Sequence, residues 1–392
     1  MKTHSVLAWS MVVALGGFLF GFDTAVISGA EKSIQQFWNL SSFAHGFTIS
    51  IALIGTVIGS LVGSRPSDRF GRKNTLYFVA AAYLLSSLGV VLGILISYLS
   101  NYLLSQGGEA SWRWMLGVQA FPSIVFLVLI YFIPESPRWL ILKRGAYDKA
   151  LEILRIINPL NCNEELEAIK KSGQDMQVDK SSDGIFSGKY NSAVIMAVLF
   201  AFFNQVSGIN AIIYYAPRIF EMAGLGAHSS LLSTVGIGIV NFIFTLLGIN
   251  IIDKVGRRTL MFVGSIGLIV SLALVAFAFL RGSSSGYEIP IYVTLFIAFF
   301  AFSQGAVIWV FISEIFPNQV RAKGQTLGSS THWVMAALIA FSFPYLAESF
   351  GGANIFFFFS AMMVLQLIFV WKMMPETKGK SLEQIETGIV MH

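Results

Sequence analysis

Long apolar runs alternate with short polar clusters along the whole chain, following neither the period of two of a strand nor the single stripe of a surface helix. Ten such runs can be counted: Val6 to Gly29, Phe43 to Ser64, Thr75 to Leu104, Met115 to Ile133, Ser192 to Phe220, Ser230 to Ile252, Thr259 to Leu280, Pro290 to Ile312, Thr326 to Leu346 and Asn354 to Met374. A hydrocarbon layer about 30 Å thick needs roughly 20 residues of helix at 1.5 Å each, so each run is long enough to span it. The pattern predicts an all-α integral membrane protein with about ten transmembrane helices. Lys2 and His4 ahead of the first run resemble the start of a signal peptide. The run continues past Asp23 with no small-residue cleavage pattern, however, and reads as a span.

Composition agrees with this reading and removes alternatives. Of the 392 residues, 55% are hydrophobic and 12% charged, whereas a soluble domain carries about a quarter charged residues. Cys162 is the single cysteine, and no His/Cys cluster has ligand spacing, so no disulfide, metal or cofactor is expected. Gly71-Arg72-Lys73 lacks the spacing of a phosphate loop, and nothing else points to an enzyme. The net charge of +5 has a topological explanation that needs no nucleic acid. With the N-terminus inside, 22 of the 26 Lys/Arg fall on the cytoplasmic side, leaving Lys32, Arg113, Arg218 and Arg281 outside, and both termini are cytoplasmic.

The long polar connection from Leu142 to Asn191 mixes Arg144, Lys149, Glu152 and Arg155 with Leu151, Leu154 and Ile157, a pattern of short amphipathic helices at the inner face. It divides the chain into a four-span bundle (1–141), a linker (142–191), a six-helix bundle (192–374) and a tail (375–392). The two halves repeat each other. Asp68-Arg69-Phe70-Gly71-Arg72-Lys73 recurs 185 residues later as Asp253-Lys254-Val255-Gly256-Arg257-Arg258, and Pro134-Glu135-Ser136 recurs 241 residues later as Pro375-Glu376-Thr377. Repeats in the same order at equivalent loops mark a transporter of two related bundles. The first half is 56 residues shorter between these landmarks, about two spans with their loops, and the run from Thr75 to Leu104, with Ser87 and Gly89 near its middle, marks the fusion point.

With Gly21 to Gly29, Pro134-Glu135-Ser136-Pro137-Arg138-Trp139, Asn204 to Asn210, Tyr214-Tyr215-Ala216-Pro217 and Pro375 to Gly379, the chain resembles the sugar porter family of the major facilitator superfamily. That family has twelve spans in two bundles. The resemblance therefore implies a two-bundle fold with about ten helices instead of twelve, lacking the end of the third span, the fourth and the start of the fifth. It implies secondary transport of a hexose or pentose by alternating access, coupled to protons, in a bacterial inner membrane, by a protein that works as a monomer in the lipid bilayer.

A sugar offers hydroxyls and apolar C–H faces, so its site needs amides and aromatic rings. Asn204, Gln205 and Asn210 stand in an otherwise apolar run, where amides face a cavity or another helix, and Gly208 gives that helix a place to bend. The resemblance adds Asn241, Gly305, Trp309, His332, Trp333 and Phe20 to the sugar site, with Gln304 a weaker addition. Asp23 is a carboxylate inside a span, by default a proton, ion or partner site. The resemblance makes it the proton-coupling residue, although its usual arginine partner lies on the missing fourth span. The basic loops act as topology signals. The resemblance adds gating roles for Arg69, Arg72, Glu135, Arg138, Arg257, Arg258, Glu314, Arg321 and Glu376, with Arg257 and Arg258 able to pair with Glu314 or Glu376. Because part of the first bundle is missing, two alternatives stand beside the symporter: a non-transporting remnant or sugar sensor, and an uncoupled, leaky sugar channel.

Overall fold

The structure is a computed structural model that describes residues 2–62, 92–105, 108–159, 161–178, 185–186, 188, 190–282, 287–316 and 320–378. Helices α1 (Lys2–Phe37), α2 (Ser42–Val62), α3 (Leu92–Leu104), α4 (Ser111–Gly117) and α5 (Ala120–Ile130) come first, followed by α6 (Tyr147–Ile157) and α7 (Cys162–Val178). The remainder comprises α8 (Asn191–Val206), α9 (Ile209–Met222), α10 (Ala227–Val255), α11 (Arg257–Arg281), α12 (Glu288–Phe300), α13 (Ala306–Glu314) and α14 (Arg321–Lys372). Among the described residues there is no strand, and seven helical stretches are long and apolar enough to cross a membrane.

The apolar runs became helices with informative differences. The first helix runs well past its apolar run at both ends, to Lys2 and Phe37, carrying the polar residues Glu31, Lys32 and Gln35. The fourth run is interrupted at Val118 and Gln119, between α4 and α5. The ninth and tenth runs form one 52-residue element, α14, broken at Gly351 with φ 74°. Its length, about 78 Å at 1.5 Å per residue, is more than twice a hydrocarbon core, long enough for two crossings. Residues 63–91, which include Arg69, Arg72, Ser87 and Gly89, lie outside the described residues.

The core is built from α8, α9, α11, α12, α13 and α14, where Phe200, Tyr215, Leu268, Phe296, Phe311 and Phe356 are almost fully buried. A separate small cluster of Leu140, Ile141, Ala150, Leu154, Cys162 and Leu166 joins the two amphipathic helices α6 and α7, whose apolar stripes pack on each other. The N-terminal helices meet the C-terminal ones at α2 and α14, where a Cβ on Gly46 would stand 2.1 Å from the Phe341 carbonyl oxygen. They also meet where Tyr98 on α3 donates to the Ile213 carbonyl at 2.7 Å.

The expected bend between Gln205 and Asn210 is present. Gly208 adopts φ +85°, and a Cβ there would lie 2.4 Å from the Phe359 ring. Gly208→Ala therefore combines left-handed strain with overpacking, together about 3 kcal/mol. Gly224, at φ +92° with open space around it, supplies the strain alone. Thermal unfolding in detergent should show a clearly larger drop in midpoint for Gly208→Ala than for Gly224→Ala; equal drops would mean that Phe359 yields freely.

Candidate functional site

The break at Gly208 ends α8 one turn after Asn204 and Gln205 and starts α9 with Asn210, so three amides converge on one level of the bundle. Asn204 and Gln205 are each 1% exposed, so each polar atom needs a partner. Gln205 supplies most of them. Its Nε2 donates to Asn204 Oδ1 at 2.9 Å and lies within 3.2 Å of both ring nitrogens of His332 on α14, while its Oε1 accepts from Asn210 Nδ2 at 2.6 Å. Which imidazole nitrogen accepts is set by the tautomer. Asn204 Nδ2 also donates to the Gln304 carbonyl at 3.5 Å. The amides thus satisfy one another, and a polyol can exchange its hydroxyls for these bonds one at a time without orphaning a buried group.

Aromatic rings flank this network. Trp309 on α13 lies 4.9 Å from the His332 ring and 6.5 Å from Trp333, and Phe20 on α1 meets Trp333 edge-on at 4.9 Å. Trp309 keeps 43% of its surface exposed, a free apolar face of the kind a sugar ring covers. Gly305 closes a π-helical stretch, Ala301–Gly305, between α12 and α13; such bulges re-aim a helix and are frequent at functional sites. The structure therefore brings Phe20, Asn204, Gln205, Asn210, Gly305, Trp309, His332 and Trp333 together. Asn241 on α10 is half-buried and makes no hydrogen bond to them.

Behind the site, Gln366 and Ser265, which sequence reading did not single out, join Gln304, its weaker candidate. Gln304 donates to Gln366 Oε1 at 2.7 Å, and Gln366 donates to Ser265 Oγ at 3.2 Å, tying α11 and α14 to the π-helical stretch. Gln366 is an amide among apolar neighbours in the middle of the tenth run, which begins with its other amide, Asn354.

Asp23 is half-buried on α1, and among the described residues no cation pairs with it. Tyr214 of α9 is within electrostatic reach of it.

Of the gating candidates, Arg257 grips Glu314 with two bonds, 2.8 and 3.2 Å, and Asp253 at 2.7 Å. The alternative pairing with Glu376 is corrected. Glu376 accepts the backbone N–H groups of Arg257 and Arg258, each at 3.0 Å, and so caps the N-terminus of α11. Arg258 instead donates to the carbonyls of Val370 and Trp371 at the end of α14. All of these bonds lie within the C-terminal helices. Glu135 accepts from the Ser136 N–H at 2.9 Å, and Arg138 is exposed. The Arg321 side chain, like Arg69 and Arg72, lies outside the described residues.

A second cluster of charges, of which sequence reading counted only Lys32 and Arg218, as outside residues, lies at the opposite end. Glu31 accepts from Arg218 Nε at 3.1 Å and contacts His45 Nε2 at 2.6 Å, Lys32 pairs with Glu221, Arg218 reaches Gln35, and Ser42 bonds Glu348.

A model of the family described as sugar (and other) transporter matches residues 9–91 and 81–388. The two pieces overlap within the run from Thr75 to Leu104. An arabinose-proton symporter of Bacillus subtilis is 34% identical over 446 aligned positions, covering 98% of this chain and 96% of that protein. At least 54 of those positions have no counterpart among the 392 residues here. A partially occluded inward-open structure of the xylose transporter XylE from Escherichia coli matches with TM-score 0.83 and 28% identity, covering 96% of this chain and all of that one. The proton:xylose symporter XylE bound to 6-bromo-6-deoxy-D-glucose matches with TM-score 0.79 and 28% identity, covering 99% of each chain.

Proposed function

This chain belongs to the sugar (and other) transporter family, and from that premise we propose that it carries a monosaccharide, a pentose or hexose, across the membrane by alternating access, together with a proton. The observation that carries this reading is the buried amide network centred on Gln205 beside the half-exposed face of Trp309. It offers donors and acceptors for hydroxyls on one side and an apolar surface for a C–H face on the other, the two features a sugar requires. Gln205, Asn204, Asn210, His332, Trp309, Trp333 and Phe20 hold the sugar, and Gly305 lets the α12–α13 segment adjust to it. Asn241 joins when α10 moves inward. Asp23 carries the proton.

The chain divides into a shortened N-terminal bundle to residue 141, a cytoplasmic linker to 191, a six-helix bundle to 374 and a cytoplasmic tail. It resides in a bacterial inner membrane as a monomer with both termini inside, where the excess of Lys and Arg falls. Arg257 and Glu314 hold the inner ends of the C-terminal helices, Glu376 and Arg258 tie the start of α11 to the end of α14, and Arg69, Arg72, Glu135, Arg138 and Arg321 gate from the neighbouring loops. No nucleic acid takes part.

One observation favours a second reading. Asp23 stands without a cation among the described residues, which fits facilitated passage without proton coupling. Counterflow of labelled sugar in proteoliposomes, with an external pH electrode, tests both. Saturable counterflow with alkalinisation supports symport, counterflow without a pH change supports facilitated passage, and no counterflow removes both.

A further inference from the structure

We infer that Glu31, Lys32, Arg218 and Glu221 form the outer gate of this transporter, a charge latch between α1 and α9 that closes the sugar path from outside and opens in every cycle. The inference rests on the transport reading for what the gate serves. Its geometry is independent. Every bond of the latch joins a helix before residue 63 to a helix after residue 208, except the contact of His45 with Glu31, which braces α2 against α1. The ion pairs of Arg257 at the other end stay within the C-terminal helices and cannot hold the two groups of helices together. Among the described residues, the ion pairs that join the two groups of helices lie at this end.

The latch separates two cavities. One of about 310 Å³ lies among Ser28, Ser105, Ser111 and Met115, and one of about 520 Å³ lies among Gln35, Ser42, Pro344 and Glu348. Lys32, Arg218 and Glu221 line both, so their bridge is the wall between them. The same two helices lead down to the site. Asp23 lies eight residues before Glu31 on α1, and Asn210 eight before Arg218 on α9, each about 12 Å along the axis. Separating α1 from α9 at the latch would therefore join the cavities and expose the path toward both.

The charges also make the gate bistable. Glu31 is 1% exposed, and its carboxylate is held between His45 and Arg218. A buried charge that loses one partner is strongly unfavourable, so the latch is either fully made or fully released, with Glu31 returned to water. Lys32 and Glu221, more exposed, complete the wall.

The test uses the full chain in cells, with Ser28→Cys as reporter in a Cys162→Ser background and a membrane-impermeant maleimide added outside. Ser28 is 2% exposed at the floor of the smaller cavity, so labelling of this parent should be slow. Lys32→Glu and Glu221→Lys each place like charges across the wall and should label at least about tenfold faster. The double exchange restores the pair and should return to within about threefold of the parent. Glu31→Gln, isosteric and still able to bond His45, should also label faster. Unchanged labelling in the single variants, or a double exchange as fast as the singles, would overturn the inference. Labelling requires no sugar flux, so a chain that fails to transport still reports on its gate, and the two failures are distinguishable.

Discussion

Gln205→Ala is expected to lower sugar binding, and with it counterflow, by at least about a hundredfold. No other side chain touches so much of the site: its amide serves Asn204, Asn210 and His332 at once. Removing it leaves three buried polar groups without that partner, at about 1–3 kcal/mol each, and takes away a donor and an acceptor from the sugar. Sites built to bond hydroxyls discriminate by factors of this size when one side of the pairing is lost. Quenching of Trp309 and Trp333 fluorescence by added sugar measures binding directly. An alanine variant that binds sugar with the parent's affinity would show that the three amides only pack helix to helix.

The second large effect is expected at Asp23. One proton moving down a membrane potential of 100 mV supplies about 2.3 kcal/mol, enough to accumulate sugar about fortyfold. Asp23→Asn keeps size and hydrogen bonding but cannot carry a proton. It should reduce accumulation to equal concentrations on the two sides and abolish sugar-driven alkalinisation, with counterflow within about threefold of the parent. Undiminished accumulation by Asp23→Asn would place coupling on another residue. A parent that never accumulates would support facilitated passage, in keeping with the lack of a cation beside Asp23 among the described residues.

Much of this architecture is legible in the chain because it follows from local chemistry. Apolar length predicts spans, and an amide in an apolar run must turn inward, which is why Asn204, Gln205 and Asn210 were identifiable. Gly208 was recognisable as a bend because only glycine accepts its φ of +85° readily. The pairing of Arg257 with Glu314 is one of the two that the family resemblance offered. What remained hidden depends on three-dimensional neighbours far apart in sequence. Glu31 and Arg218 are separated by 187 positions, and alone each reads as an ordinary loop charge. Glu376 looked like a salt-bridge partner, yet the N–H groups at the start of α11 compete for it, and those exist only once the helix has formed. Gln366 was missed for a different reason: its signal was present, but nothing in the sequence shows that Gln304 and Ser265 lie opposite it.

The shortened first half bears on all of this. The family match breaks and resumes over residues 81–91, and more than fifty positions of a relative are absent here. Among the described residues, the proposed sugar site draws almost entirely on the C-terminal helices, with Phe20 its contribution from α1. A site held mainly by one bundle can survive a loss in the other.

Counterflow of labelled xylose, arabinose and glucose in proteoliposomes tests that claim most directly. The account predicts saturable counterflow of at least one of these sugars by the chain as it stands. No counterflow by this chain, with activity appearing when a two-span insert is restored at Gly89, would contradict it and show that the binding residues are assembled without a working path.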